Sequence, residues 1–310
     1  MGHPPHGLAD PAAAAPQWAN GSAVTVCPAL RFIDPESWGR IHAPGLSKLK
    51  GRQNVWVYPE VGALYMENQK AATEYLYANL PYFLSNNSSR PLQFVHQIIP
   101  FPWTGSHRPC CNGLRRFTFV TNPVKCALRA YGEISRRINY ELPGGKSLRP
   151  SPRYRLVPCT NASLILHRLG LFLDDVEAGT ALGGQAFHAF PQVLKTFVHL
   201  DALAFTGRIE HLIEDATKWR NLLHLPAKVE HADTLVQEVV SNFKANGSQG
   251  TTMDACVPEV NELDEQTLMR LCRIYFVDVL CLGYQLAPNC QEAARQELHR
   301  RQQLKGLLDA

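Results

Sequence analysis

The chain has 310 residues, 45% of them hydrophobic, and a formal net charge of +4. That is enough apolar content for one large α/β domain or two small ones, and one domain with trimmings is the simpler reading. The basic excess is mild and spread along the chain, and no aromatic-plus-basic RNA-binding motif accompanies it, so it suits an anionic ligand or a polyanionic glycan without calling for nucleic acid.

Residues 1–50 are rich in Pro, Ala and Gly and read as a flexible lead or stem, with a short element at Ala29 to Ile33. They lack the basic flank and leucine-rich core of a signal peptide, and no run in the chain approaches the roughly 20 apolar residues that span a bilayer. A membrane anchor is therefore not expected within this chain. Residues 51–290 form the expected domain, and 291–310 a polar helical tail.

The most informative stretch runs from Val55 to Leu84. Gly62 to Met66 is apolar and short, as a buried strand is, and Tyr75, Leu76, Asn79, Leu80 and Phe83 follow helical spacing. Between them lies Gln69-Lys70-Ala71-Ala72-Thr73. Small residues let the backbone approach a ligand, free N–H groups at a helix start attract an anion, and Lys70 adds a full positive charge. That is the chemistry of a phosphate cradle; the plainer alternative is a solvated lysine before a helix. Leu92 to Ile99 then reads as a second buried strand, interrupted by His96.

Farther on, Phe117 to Val120 predicts a strand, Pro123 sits where a first helical turn tolerates proline, and Val124, Ala127, Leu128 and Tyr131 supply an apolar helix face. Glu141 to Ser163 is a basic, Pro- and Gly-rich loop, followed by a helix from Ala162 to Asp175. Leu203 to Thr206 predicts a strand, Gly207 a close turn, and Glu214 with Asp215 the start of a helix running through Trp219 and Leu222. Arg208 and Glu210 suit a structural tie between that turn and the core, and His188 either lines a pocket or packs between Phe187 and Phe190. From Leu263 to Tyr284 the spacing predicts a helix N-capped by Asp264, with Leu268, Leu271, Cys272, Tyr275 and Val279 on one face.

Nine cysteines are present and none forms a Cys-x-x-Cys pair, which argues against a zinc ribbon or a thioredoxin motif. Cys159, Cys256 and Cys290 fall in expected loops or tails where disulfides of a luminal protein can form; Cys272 and Cys281 fall on the apolar helix and read as buried thiols. Asn-x-Ser sequons at Asn20, Asn86, Asn87, Asn161 and Asn246 lean toward a secretory route.

Several of these stretches, in this order, resemble the carbohydrate sulfotransferases of the Golgi. Strand, Lys70-Ala71-Ala72-Thr73 and helix look like their 5′-phosphosulfate loop. Phe119, Val120, Asn122, Pro123 and Tyr131 match or nearly match their 3′-phosphate strand and helix, although Thr121 and Cys126 stand where the family has arginines and Arg129 where it has serine. The most specific likeness is His188-x-x-Pro191-Gln192 followed by Gly207-Arg208-x-Glu210 and Glu214-Asp215, with Tyr275, Asp278, Gly283 and Tyr284 matching a closing helix.

The resemblance implies a P-loop-like sulfotransferase fold, a central parallel sheet flanked by helices, and transfer of a sulfuryl group from 3′-phosphoadenosine 5′-phosphosulfate to a carbohydrate hydroxyl, without a metal. It implies a Golgi or secretory-pathway lumen as the location. Lys70 would neutralise the leaving phosphate, Ala71, Ala72, Thr73 and Glu74 would line the donor loop, and Thr121, Lys125, Arg129 and Arg208 would complete the donor site. For the base, His96 comes first, with Glu74 and His107 in reserve. An inactive relative that binds nucleotide or glycan is the alternative raised by Thr121, Cys126 and Arg129. A P-loop kinase or nucleotidase is disfavoured because no Gly-rich Walker loop is present.

Overall fold

The computed structural model describes residue 29 and residues 51–58, 61–68, 76, 80, 84, 93–99, 114–139, 153–178, 188–193, 203–224 and 256–308, with backbone only at some positions within the helices and strands. Five strands build one mixed sheet: β1 (Gly51–Tyr58), β2 (Ala63–Met66), β3 (Gln93–Ile99), β4 (Arg115–Val120) and β5 (Leu203–Arg208), in the spatial order β3-β1-β2-β4-β5. β2, β4 and β5 pair in parallel, whereas β1 is antiparallel to both β2 and β3. β1 alone thus runs against the others, and the carboxyl ends of β2, β3, β4 and β5 share one edge.

β1 is not anticipated by the sequence reading, which begins its first strand at Gly62. Gly62 instead makes the turn between β1 and β2, at φ +65°, a left-handed conformation that glycine adopts without the clash a Cβ would cause. The sheet is mixed for the same reason: so tight a connection can only join antiparallel strands.

The chain then supplies helices α1 (Pro123–Asn139), α2 (Ala162–Ala178), α3 (Leu212–Leu222), α4 (Glu265–Ile274), α5 (Phe276–Cys281) and α6 (Pro288–Leu308). Strand alternation sends side chains to both faces of the sheet. Leu64, Met66, Val120 and Leu203 meet α1, α2, α4, α5 and α6 on one face. Ala63, Tyr65, Phe117 and Phe119 meet Leu212, Ala216 and Trp219 of α3 on the other, together with Leu76, Leu80 and Leu84, which are helical, buried and one turn apart. Trp219 stacks on Phe205, ring centroids 5.4 Å apart, and lies 4.8 Å from the Phe117 ring. The result is an α/β layering with helices on both sides of the sheet.

Three local expectations change. The helix foreseen from Leu263 to Tyr284 is broken at Tyr275, at φ −100° and ψ 28°, into α4 and α5; its start is as expected, the Asp264 carboxylate accepting the Thr267 N–H at 2.7 Å. The terminal helix is not wholly solvated, since Cys290, Ala293, Ala294 and Leu298 enter the core. Finally, Cys272 is not a thiol: α6 packs on α4 and brings Cys290 to a Cα–Cα distance of 5.3 Å, where the two are bridged. Cys281 is disulfide-bonded as well. Apolar periodicity signals that a cysteine is buried but says nothing about which segment packs against it.

Gly207 has a role other than the expected turn. It lies inside β5 opposite Phe119, and a Cβ there would run into the Phe119 ring, which is fully buried between β4 and its neighbours. Gly207→Ala is expected to destabilise the fold by about 1–3 kcal/mol, the usual cost of overpacking a rigid core. Urea unfolding checks this, and adding Phe119→Leu should recover part of the loss; equal stability of Gly207→Ala and the parent would show that the ring yields freely.

Candidate functional site

In open α/β sheets, ligands collect outside the carboxyl ends of the parallel strands. Here that edge is formed by the segment Glu67-Asn68 after β2, by Thr121-Asn122 between β4 and α1, and by the single helical turn Ile209–His211 after β5. A dense set of hydrogen bonds joins them.

Its centre is Glu210. Oε1 accepts from the Thr121 hydroxyl and from the Asn122 N–H, both at 2.8 Å, and Oε2 accepts the Tyr284 hydroxyl at 2.8 Å. Partial burial opposes charge on this carboxylate, but the Asn122 N–H and the Tyr284 and Thr121 hydroxyls outweigh it and hold the group below its ordinary value. Burial first, and the neighbouring Glu210 charge second, push the Tyr284 phenol well above its ordinary range. The pair is therefore an ionised acceptor and a protonated donor.

Gln192 forms the second junction. Its Nε2 donates to the Thr121 carbonyl at 2.8 Å, and its Oε1 accepts the Thr121 N–H at 2.9 Å and the Asn68 Nδ2 at 3.3 Å, so one buried amide links the ends of β2 and β4. Asp278 of α5 positions Gln192 in turn: its two oxygens accept the N–H groups of Gln192 and Val193 at 2.7 and 2.8 Å. The Tyr275 hydroxyl donates to the Ala189 carbonyl at 2.9 Å. Asp278 is fully buried, and its two oxygens are matched by donors, as burial of a polar group requires.

Arg208 and Asp215 close the third junction. The Arg208 guanidinium donates to the carbonyls of Leu282 and Gly283 at 3.3 and 2.9 Å and lies 4.7 Å over the Tyr284 ring. Asp215 accepts the Arg208 N–H and the Lys218 ammonium, each at 2.8 Å. Gly283, at φ +63°, makes the turn that presents those carbonyls.

The helix start after β4 is occupied. Asn122 Oδ1 caps α1, accepting the N–H groups of Val124 and Lys125 at 3.0 and 3.2 Å, and Pro123 has no N–H to offer. With the Asn122 N–H on Glu210 and the Thr121 N–H on Gln192, the backbone donors of this turn are committed to the protein itself. Besides Arg208, the positive side chains near it are Lys125, exposed in the first turn of α1, and Arg129, half-buried one turn later.

The remaining expected site residues are distributed as follows. Lys70, Ala71, Ala72, Thr73, Glu74 and His107 lie outside the described residues. His96 is described by its backbone: it pairs with Asn54, while Val55 pairs with Met66, so His96 stands one row past the end of β2 and two strands out, about 10 Å away at ordinary strand spacing. Arg208 holds carbonyls of the chain and Thr121 holds Glu210. His188 is buried. Among the described residues there is no group of His, Cys, Asp and Glu that could hold a metal ion, and no helix long and apolar enough to cross a membrane.

The long-range pairs Thr121–Glu210 and Thr121–Gln192 are what the sequence reading did not foresee. No local pattern announces a contact across 89 or 71 positions, although the Gln192 and Glu210 motifs had marked both residues. Set against known proteins, the chain matches no family model, no curated protein and no solved structure.

Because Glu210 is held below its ordinary value of 4.5, its contribution to stability is complete above that pH and is lost as the pH falls through the folded value. Glu210→Gln is expected to lower stability at neutral pH and to flatten the acid side of the stability curve below about pH 4.5, read by urea unfolding across a pH series. An acid side as steep as that of the parent chain would assign the acid sensitivity to other carboxylates.

Proposed function

We propose that the chain is a sulfotransferase-like protein with a P-loop-like scaffold, acting in the lumen of the Golgi or secretory pathway, which transfers a sulfuryl group from 3′-phosphoadenosine 5′-phosphosulfate to a carbohydrate hydroxyl. The observation that carries this reading is the parallel pairing of β2 with β4. It makes the loop that follows β2, with Lys70, and the turn that follows β4, with Thr121, leave the sheet at one edge, as a donor with phosphates at both ends of its ribose requires.

In that reading the N–H groups of Ala71, Ala72 and Thr73 and the Thr73 hydroxyl cradle the 5′-phosphosulfate beside Glu74, and Lys70 offsets the charge that grows on the 5′-phosphate as its bond to sulfur breaks. The acceptor oxygen bonds to sulfur as that bond breaks, and its proton passes to His96, which the register of β3 supports as a residue of the same edge. This reading assigns the 3′-phosphate to Lys125 and Arg129 of α1, with Arg208 contributing to the shape of the edge.

A second reading, a relative that has lost the donor chemistry and binds nucleotide or glycan, is favoured by one specific observation. Where the resemblance expects a phosphate-binding arginine, Thr121 donates to the ionised Glu210, and threonine does not replace a bidentate guanidinium.

Calorimetry with adenosine 3′,5′-bisphosphate tests the donor site, and transfer of labelled sulfate from 3′-phosphoadenosine 5′-phosphosulfate to a glycan separates the enzyme from a relative that only binds nucleotide. Micromolar binding by the parent chain, weakened roughly tenfold or more in Lys70→Ala through loss of a charge-assisted phosphate contact, is the expected result. Weakening in Arg129→Ala would assign the 3′-phosphate to that residue. No binding by the parent chain overturns the enzyme reading.

A further inference from the structure

We propose that Asn161 is an N-glycosylation site. This stands on observations separate from the donor site. Asn161-Ala162-Ser163 is an Asn-x-Ser sequon, and all three residues are exposed, as are the adjoining Pro158 and Thr160. The sequence shows several such sequons; the others, at Asn20, Asn86, Asn87 and Asn246, lie outside the described residues.

The Asn161 side chain is divided between two tasks. Its Oδ1 caps α2 by accepting the Leu164 N–H at 3.0 Å, while its main-chain carbonyl accepts the Ile165 N–H at 3.0 Å. Its Nδ2 has no acceptor among the described residues, and the residue is exposed. Glycosylation uses Nδ2 alone: the Nδ2–C1 bond to the first sugar forms as the C1–O bond to the lipid diphosphate of a lipid-linked oligosaccharide breaks, the diphosphate leaves with the electron pair, and the amide gives up one proton. The carbonyl that caps α2 is untouched, so the modified side chain still serves the fold.

The disulfides point to the compartment in which this chemistry occurs. Cys159, two residues before Asn161, is bridged to Cys256 at a Cα–Cα distance of 5.1 Å, Cys272 is bridged to Cys290, and Cys281 is disulfide-bonded too. Of the described cysteines only Cys126 keeps a buried thiol. Bridges at this density belong to a chain folded in an oxidising lumen, where oligosaccharide transfer to asparagine takes place.

The test uses the full chain, directed by a cleavable signal peptide into the secretory lumen of a glycosylating cell and recovered from cells and medium together. After enzymatic removal of N-glycans in heavy-oxygen water, peptide mass spectrometry is expected to find Asn161 converted to labelled aspartate. Asn161→Asp and Ser163→Ala are each expected to lose one glycan step on a gel. Neither variant removes the cap acceptor of α2, so neither result depends on a folding defect. Asn161 recovered unlabelled, whatever is found at Asn20, Asn86, Asn87 or Asn246, overturns the proposal.

Discussion

One ionised carboxylate, that of Glu210, sets the form of the carboxyl edge of the sheet. It gathers a hydroxyl and an N–H from the turn after β4 and a phenol from the segment after α5, while its own position is fixed at the end of β5. A carboxylate can accept that many donors at once because its two oxygens offer about four lone-pair directions. Three segments far apart in sequence therefore share one charge, and none of them can shift without leaving a partly buried donor or acceptor unmatched. The same logic explains Asp278 and Gln192, a buried carboxylate orienting a buried amide, and the amide in turn joining β4 to Asn68 after β2.

These junctions also explain why the helix expected from Leu263 to Tyr284 arrives as two short pieces. α5 must deliver Asp278 to the N–H groups of Gln192 and Val193, and Tyr275 must reach the Ala189 carbonyl. The break at Tyr275 reorients the chain between the amphipathic α4, which needs Leu271 and Cys272 inward, and α5, whose described residues are nearly all buried. Beyond α5, Gly283 turns the backbone so that its carbonyls meet Arg208 and its neighbour Tyr284 meets Glu210. The tie between helix and sheet is thus polar at its end and apolar along its length.

How much of this was legible depended on range. The strand before Pro123, the strand that begins at Leu203, the helix through Trp219 and the Asp264 cap all carry their cause within a few residues, as periodicity, a proline at a first turn, or a capping side chain. β1 carries no such cause: Val55, Trp56 and Val57 suit a strand, but only the tight turn at Gly62 and the pairing with β3 make them one. The Cys272–Cys290 bridge and the Glu210 and Gln192 junctions are likewise products of packing, and a sequence lists their members without pairing them. The candidate site was legible as a set of motif positions; that most of the described ones hold one another, instead of facing outward, was not.

That inward commitment constrains any anionic ligand at this edge. Repulsion between unit charges falls off slowly in a partly buried setting, so a phosphate beside Thr121 would meet the Glu210 carboxylate that the Thr121 hydroxyl already holds. The chain offers Lys125 and Arg129 on α1, one turn apart and at least partly open to solvent, where charge–charge attraction is discounted by water and salt. A contact of that kind is worth less than the roughly 1.5–3 kcal/mol of a buried charge-assisted hydrogen bond. Donor affinity in a sulfotransferase reading must then come mainly from the loop of Lys70 and from the nucleoside between the two phosphates. In that reading the exposed Lys125 and the half-buried Arg129 would make the 3′ end the more loosely held of the two, which would favour release of the bisphosphate product over its retention.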